Sequence, residues 1–113
     1  MNINKLVKDT LKPFGFPCKY EEYKGKETSY ITFFEMNNTD AEFSDDEEEC
    51  EVHSLQIDFF TKSDPNNIKK EIKKALKTNF SEVKFQDLFE SDTKYYHICF
   101  RCYYYEYYEY KEE

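Results

Sequence analysis

The chain has 113 residues, enough for one domain that buries roughly 65% of the surface its unfolded form exposes. Charged residues make up 35% and hydrophobic residues 39%, so the core must draw on the eleven Phe and eleven Tyr. No apolar stretch approaches ~20 residues or precedes a cleavage site, which predicts neither a membrane-spanning helix nor a signal peptide. We therefore expect a single cytoplasmic domain over residues 1–113, with its four cysteines reduced.

The net charge of −8 comes from one short segment, because residues 40–51 hold eight carboxylates and no lysine or arginine. Residues 37–49 are predicted to form an acidic mobile loop, since long stretches without regular structure are usually functional or disordered. Like-charge repulsion favours the same outcome. Its densest part is a run of five acidic residues that we predict to contact a partner or a neighbouring subunit, namely Asp45, Asp46, Glu47, Glu48 and Glu49.

The first third of the chain predicts a helix and a hairpin. Residues 2–12 have apolar side chains at helical spacing, with Asn2 as the cap and Pro13 as the end. Residues 18–23 and 29–36 are predicted strands, joined as a hairpin through a turn at residues 24–26. We expect Gly25 to supply conformational freedom in that turn.

The central strand is predicted over residues 52–62. Leu55, Ile57 and Phe59 alternate there with polar residues, a period of two that indicates one buried and one solvated face. The β-branched and aromatic content also favours a strand.

The second helix is predicted after Ser63 or Asp64 as the cap, with Pro65 near its first position and Asn79 at its end. One apolar stripe comprises Ile68, Ile72, Leu76 and Phe80, and the other face carries Lys69, Lys70, Lys73, Lys74 and Lys77. A solvated face is the common explanation of such lysines. An acidic surface on a neighbouring subunit is a better-fitting partner than nucleic acid, because no aromatic residues are interleaved with them.

Strands at residues 83–89 and 94–108 complete the domain, and residues 111–113 are expected to fray. The order α-β-β-β-α-β-β predicts an α+β fold, a mainly antiparallel sheet of four or five strands with two helices on one face. The last strand is unusually rich in tyrosine, which suits surfaces that contact partners. Tyr103 and Tyr105 are therefore candidate interface residues.

The sequence contains no recognisable catalytic or metal-binding pattern. Cys99 and Cys102 would point to opposite faces of a strand, so they could not chelate together. His53 and His97 have no ligand or nucleophile at a suitable spacing, and the calcium-like run 40–51 lacks the required glycine. We predict no enzyme activity, no cofactor and no metal.

Three segments in order carry a family resemblance. They are residues 22–35 (EYKGKETSYITFFE), residues 55–64 (LQIDFFTKSD) and residues 92–101 (DTKYYHICFR). Together they resemble the small tail-completion or head–tail joining (minor capsid) proteins of long-tailed phages and prophages of Gram-positive bacteria. The longer acidic run and the tyrosine-rich tail depart from that pattern.

The resemblance implies a virion structural protein of the neck or tail, made in the host bacterial cytoplasm. It would be a monomer when isolated and a ring, commonly of six, when assembled between the connector or adaptor and the tail-tube protein. DNA would pass through the ring without specific binding, and no membrane would be involved. The alternative is a small acidic phage-encoded inhibitor that mimics DNA or binds a host enzyme. The carboxylates sit in one segment rather than at phosphate-like spacing over a face, which counts against a mimic.

Overall fold

The computed structural model describes residues 2–36 and 50–107, and its architecture is the predicted α+β fold. The helices are α1 (Ile3–Leu11), a 3₁₀ turn (Lys12–Phe14) and α2 (Asn66–Leu76). The strands are β1 (Cys18–Tyr20), β2 (Ser29–Glu35), β3 (Cys50–Thr61), β4 (Ser81–Glu90) and β5 (Tyr95–Tyr107). In the described ranges, no helix is long and apolar enough to cross a membrane.

The five strands form one mixed sheet in the order β1-β2-β3-β5-β4. Strand β3 lies at its centre, as its alternating pattern predicts, and pairs antiparallel with β2 and with β5. Its register with β5 runs without a break from Cys50 opposite Tyr107 to Thr61 opposite Tyr96. The order of the helices and strands along the chain is the predicted one.

The predicted hairpin of the first two strands is wrong, because β1 and β2 are parallel, with Cys18 opposite Ile31. Strand β1 ends at Tyr20, and Glu21 then adopts a left-handed conformation with φ of 68°. Three residues advance the chain by only about 10 Å, so the short connection over residues 21–28 can return to the starting end of β1. Because β1 is so short, β2 can pair parallel to it without a helical crossover.

Gly25 has a different role from the predicted one. The glycine with positive φ in the described chain is Gly15, at 77°, whose N–H closes the 3₁₀ turn on the carbonyl of Lys12. At Gly25 an added Cβ would lie 2.1 Å from the Tyr23 hydroxyl oxygen. That hydroxyl accepts a hydrogen bond from the Glu27 N–H at 2.9 Å. Gly25 therefore allows a close approach of the Tyr23 ring.

The two helices begin differently. The Asn2 side chain accepts a hydrogen bond from the Lys5 N–H at 3.0 Å, which confirms the predicted cap of α1. At α2 the N-cap residue is Pro65, without a side-chain cap, so the predicted cap at Ser63 or Asp64 is wrong. Asp64 accepts a hydrogen bond at 2.9 Å from the N–H of Asn66, the first residue of the helix. Helix α2 ends at Leu76, earlier than predicted, so Phe80 lies beyond the helix but remains buried.

One hydrophobic core lies between the helices and a single face of the sheet. The helices contribute Ile3, Val7, Leu11, Ile72 and Leu76, and the sheet contributes Ile31, Phe33, Leu55, Ile57, Phe59, Val83, Ile98, Phe100 and Cys102. The strand residues obey the period of two, which places both helices on the same face. We call this the helix-side face and the other the open face.

Replacing Gly25 with alanine should displace the Tyr23 ring, because the new Cβ would collide with it. The ring would lose its stacking on Tyr30 and its hydrogen bond to Glu27, an expected loss of about 1–2 kcal/mol of unfolding free energy. Urea unfolding measures this loss. The same substitution in a Tyr23→Ala background should cost clearly less; equal losses in both backgrounds would contradict the clash.

Candidate functional site

The most unusual polar cluster surrounds His53 on the helix-side face. His53 is buried, and its two ring nitrogens face two different carboxylates. Nδ1 lies 2.5 Å from Glu35 Oε2, and Nε2 lies 2.9 Å from Glu106 Oε1. The ligand atoms of Glu51, His53 and Glu106 all lie within 4.8 Å of one another. We call these four side chains the His53 cluster.

Strand register brings the His53 cluster together from distant parts of the sequence. Glu51 lies directly opposite Glu106, and His53 lies opposite Tyr104. Glu35 lies opposite Leu55 at the end of β2. Residues that alternate by two share a face, so all four side chains project to the helix-side face where the apolar core ends.

The charge state of His53 follows from this environment. Burial lowers the pKa of His53, but hydrogen bonds to Glu35 and Glu106 and the charge of Glu51 outweigh it, so the pKa is raised above 6.5. The hydrogen bond from His53 correspondingly lowers the pKa of Glu106 below 4.5. The cluster therefore favours the protonated, cationic form of His53.

Sequence spacing predicts no ligand for His53, but the fold brings three carboxylates to it. The carboxylates are contributed by β2, by β5 and by Glu51, and only Glu51 is near His53 in sequence. Exact strand register decides this juxtaposition, and sequence spacing does not show it. The available signal was a histidine at a core-face position of the central strand, two residues from the end of an acidic run.

The open face carries a row of stacked rings across three elements. Tyr23 stacks on Tyr30 with centroids 4.6 Å apart, Tyr30 on Phe60 at 4.9 Å, and Phe60 on His97 at 4.3 Å. Lys62 lies 5.0 Å from the ring centroid of Tyr95, at the edge of this row. Open-face aromatic residues thus pack mainly against one another.

His97 and Cys99 do not form a catalytic pair. His97 Nε2 bonds to Asp58 Oδ1 at 2.7 Å, and the Asp58 side chain is nearly fully buried. Burial raises the pKa of the Cys99 thiol, and the charge of Asp58 raises it further. A thiol beside a carboxylate is disfavoured as a thiolate, so Cys99 is poorly suited to nucleophilic chemistry.

The two other described thiols are also held in their protonated form. Burial raises the pKa of Cys18 to about 11 and that of Cys102 to about 12. Cys102 belongs to the core, whereas Cys99 lies on the open face. The prediction that Cys99 and Cys102 point to opposite faces is confirmed.

The lysines of α2 fall into two groups. Lys69 bonds to Asp87 at 2.7 Å, and the amino groups of Lys69 and Lys73 each lie 5.4 Å from the Phe85 ring centroid. These two lysines therefore pack against β4. The other three lysines are exposed, namely Lys70, Lys74 and Lys77.

The predicted tyrosine interface is only partly exposed. Tyr103 is 36% exposed, whereas Tyr105 is half-buried and its hydroxyl donates to Glu82 at 3.2 Å. Exposed apolar side chains also lie near the β4–β5 connection, where Leu88, Phe89 and Tyr96 are 40%, 52% and 38% exposed. Phe89 and Tyr96 lie opposite each other on the helix-side face, whereas Leu88, opposite His97, lies on the open face. Phe89 and Tyr96 also line a groove of about 400 Å³ beside the start of α2. We call these three residues the β4 patch.

The predicted interface carboxylates Asp45, Asp46, Glu47, Glu48 and Glu49 lie outside the described residues, as does the predicted fraying of residues 111–113. Of the calcium-like run 40–51, Glu51 is the member with a described side chain, and it lies on β3 rather than in a loop. The role of the acidic segment stays a prediction.

A comparison of the sequence with models of protein families finds no match, and a comparison with curated proteins finds none either.

The His53 cluster should stabilise the folded protein most at mildly acidic pH. Because the folded-state pKa of His53 is raised, its contribution is fully present below pH 6.5 and is lost as the pH rises through the higher folded value. Glu106 acts at the acidic end of the pH range. Because its pKa is lowered in the folded state, its contribution to stability is present above pH 4.5 and is lost as the pH falls through the lower folded value.

We therefore expect His53→Gln to cost about 2 kcal/mol of unfolding free energy near pH 5.5 and much less near pH 9. Urea unfolding of both proteins across this range, in buffer with a metal chelator, measures the difference. A difference that stays constant between pH 5.5 and pH 9 would show that the charged form of His53 contributes nothing.

Proposed function

We propose that this chain is a non-enzymatic structural subunit that assembles as a ring at the head–tail junction of a long-tailed phage or prophage. Its place would be between the connector and the tail tube. The observation that carries the proposal is the β4 patch, which leaves apolar side chains exposed on an edge strand. Solitary soluble domains normally protect such edges.

An edge of this kind suits association between copies. Strand β4 pairs with β5 on one side, and the described chain provides no strand for its other side. Backbone donors and acceptors on that side, together with Leu88 and Phe89, offer both hydrogen bonds and apolar contact. A subunit interface would bury these groups.

A ring also needs two different surfaces that fit each other, because its contacts are heterologous. The β4 patch lies at one edge of the sheet, and the opposite edge is the short strand β1 with Tyr20 exposed. Lys70, Lys74 and Lys77 add a positive surface on α2. Their pairing with the acidic residues 45–49 of a neighbour is part of the proposal.

The test is light scattering of untagged protein over a concentration series, alone and with the tail-tube protein of the same phage genome. We expect a 13.8 kDa monomer that converts to one discrete ring-sized species. Phe89→Glu should raise the concentration needed for assembly by about tenfold or more, because it charges the centre of the patch.

Asn4→Glu is the matched control, because it adds the same charge at an exposed position of α1 and leaves the β4 patch intact. Circular dichroism checks that both variants fold. A strict monomer that ignores the tube protein but binds a host nucleic-acid enzyme tightly would overturn the ring and favour the inhibitor alternative.

A further inference from the structure

Two cations of the open face lie directly opposite each other. Arg101 on β5 pairs across the ladder with Lys84 on β4, and like charges in that position repel each other. Both side chains are exposed, and they line a shallow groove of about 270 Å³ together with Gln86 and Cys99. Among the described residues, neither cation forms a salt bridge with a carboxylate. A bound anion would relieve the repulsion between them.

The carboxylates of the open face are already engaged by other groups. The buried Asp58 bonds to His97 at 2.7 Å, and Glu90 lies 3.6 Å from the other nitrogen of the same ring. Glu82 on β4 accepts a hydrogen bond from the Tyr105 hydroxyl at 3.2 Å. In the described ranges the strands place no other carboxylate on this face, so the two cations suit an anion from another molecule.

Tyr103 adds an accessible aromatic surface beside the two cations. It follows Arg101 by two residues on the same face of β5, about 6.6 Å along the strand. Its neighbours on both sides are small, namely Ser54 on β3 and Ser81 on β4. Its ring lies 6.4 Å from that of Tyr105 with the planes 35° apart, and Tyr103 is 36% exposed. Part of the Tyr103 ring is therefore available to a flat partner, unlike the rings that already stack on one another on the same face.

We propose that this part of the open face binds a single strand of nucleic acid, with phosphate groups at Arg101 and Lys84 and a base stacked on Tyr103. Guanidinium and ammonium groups both bind phosphate. Single strands present unstacked bases, which aromatic side chains bind with little regard to sequence. A cation and a ring two residues apart on one strand can contact the phosphate and the base of neighbouring nucleotides. The inference is independent of ring assembly.

The combination of charge and rings selects a single strand over other anions. On α2 no aromatic residues are interleaved with the lysines, whereas on β5 the open face passes from Arg101 to Tyr103 and Tyr105. An acidic peptide would pair with the cations and leave the Tyr103 ring unused. A duplex keeps its bases stacked on one another, so it too would offer only phosphates. A single strand uses both the cations and the ring.

Fluorescence anisotropy of labelled oligothymidylate and oligouridylate, titrated with untagged protein, measures the binding of DNA and RNA single strands. We expect the affinity to fall with salt at a log–log slope of about −1.4, because each of two phosphate contacts contributes about −0.7. Arg101→Gln should halve that slope, since it removes one contact. Tyr103→Leu should weaken binding by at least about fivefold with the slope unchanged, and a duplex of equal length should bind more weakly than the single strand by a similar factor.

Lys8→Gln is the matched control for charge, because it removes an exposed lysine on α1, away from the open face. Tyr103→Phe keeps the ring, so both of these variants should bind as the parent does. Circular dichroism checks that every variant folds. No anisotropy change up to about 100 μM protein, the weak end of non-specific affinities, would overturn the proposal. Unchanged binding by Tyr103→Leu would also overturn it, as would polyglutamate that competes as well as the oligonucleotides, which would indicate a surface for acidic protein.

Discussion

The pairing of β3 with β5 is the interaction on which the rest of this structure depends. These two strands are the longest in the sheet and pair from Cys50 to Thr61, so their register fixes every contact between them. The helices pack on one side of this ribbon, and the aromatic row lies on the other. Even the His53 cluster is a consequence of it, because a slip of one residue would turn His53 and Glu106 to different faces.

The type of side chain changes along the central strand β3, and its two faces carry different residues. On the helix-side face the side chains pass from Phe59, Ile57 and Leu55 to His53 and Glu51, so the core gives way to charge. A buried imidazole is tolerated there because both of its nitrogens have partners. On the open face, Asp58 is buried without a helix above it, and its carboxylate oxygens bond to His97 and Gln56.

Apolar side chains are exposed on the edge strand β4, while burial raises the pKa of the Cys18 and Cys102 thiols. Cys99 lies beside the Asp58 carboxylate, whose charge adds to the effect of burial in raising the pKa of that thiol.

Periodicity alone determined the elements, their order and the buried face of the central strand, because burial imposes a repeat of two or 3.6 on side chains. The cap at Asn2 and the opposite directions of Cys99 and Cys102 are equally local. Tertiary structure decided the parallel pairing of β1, the close contact at Gly25 and the partners of His53. These depend on which strands become neighbours and in which register, and no spacing within one segment encodes that. Lys69 illustrates the same limit, since its helical position predicted a solvated face but β4 lies against it.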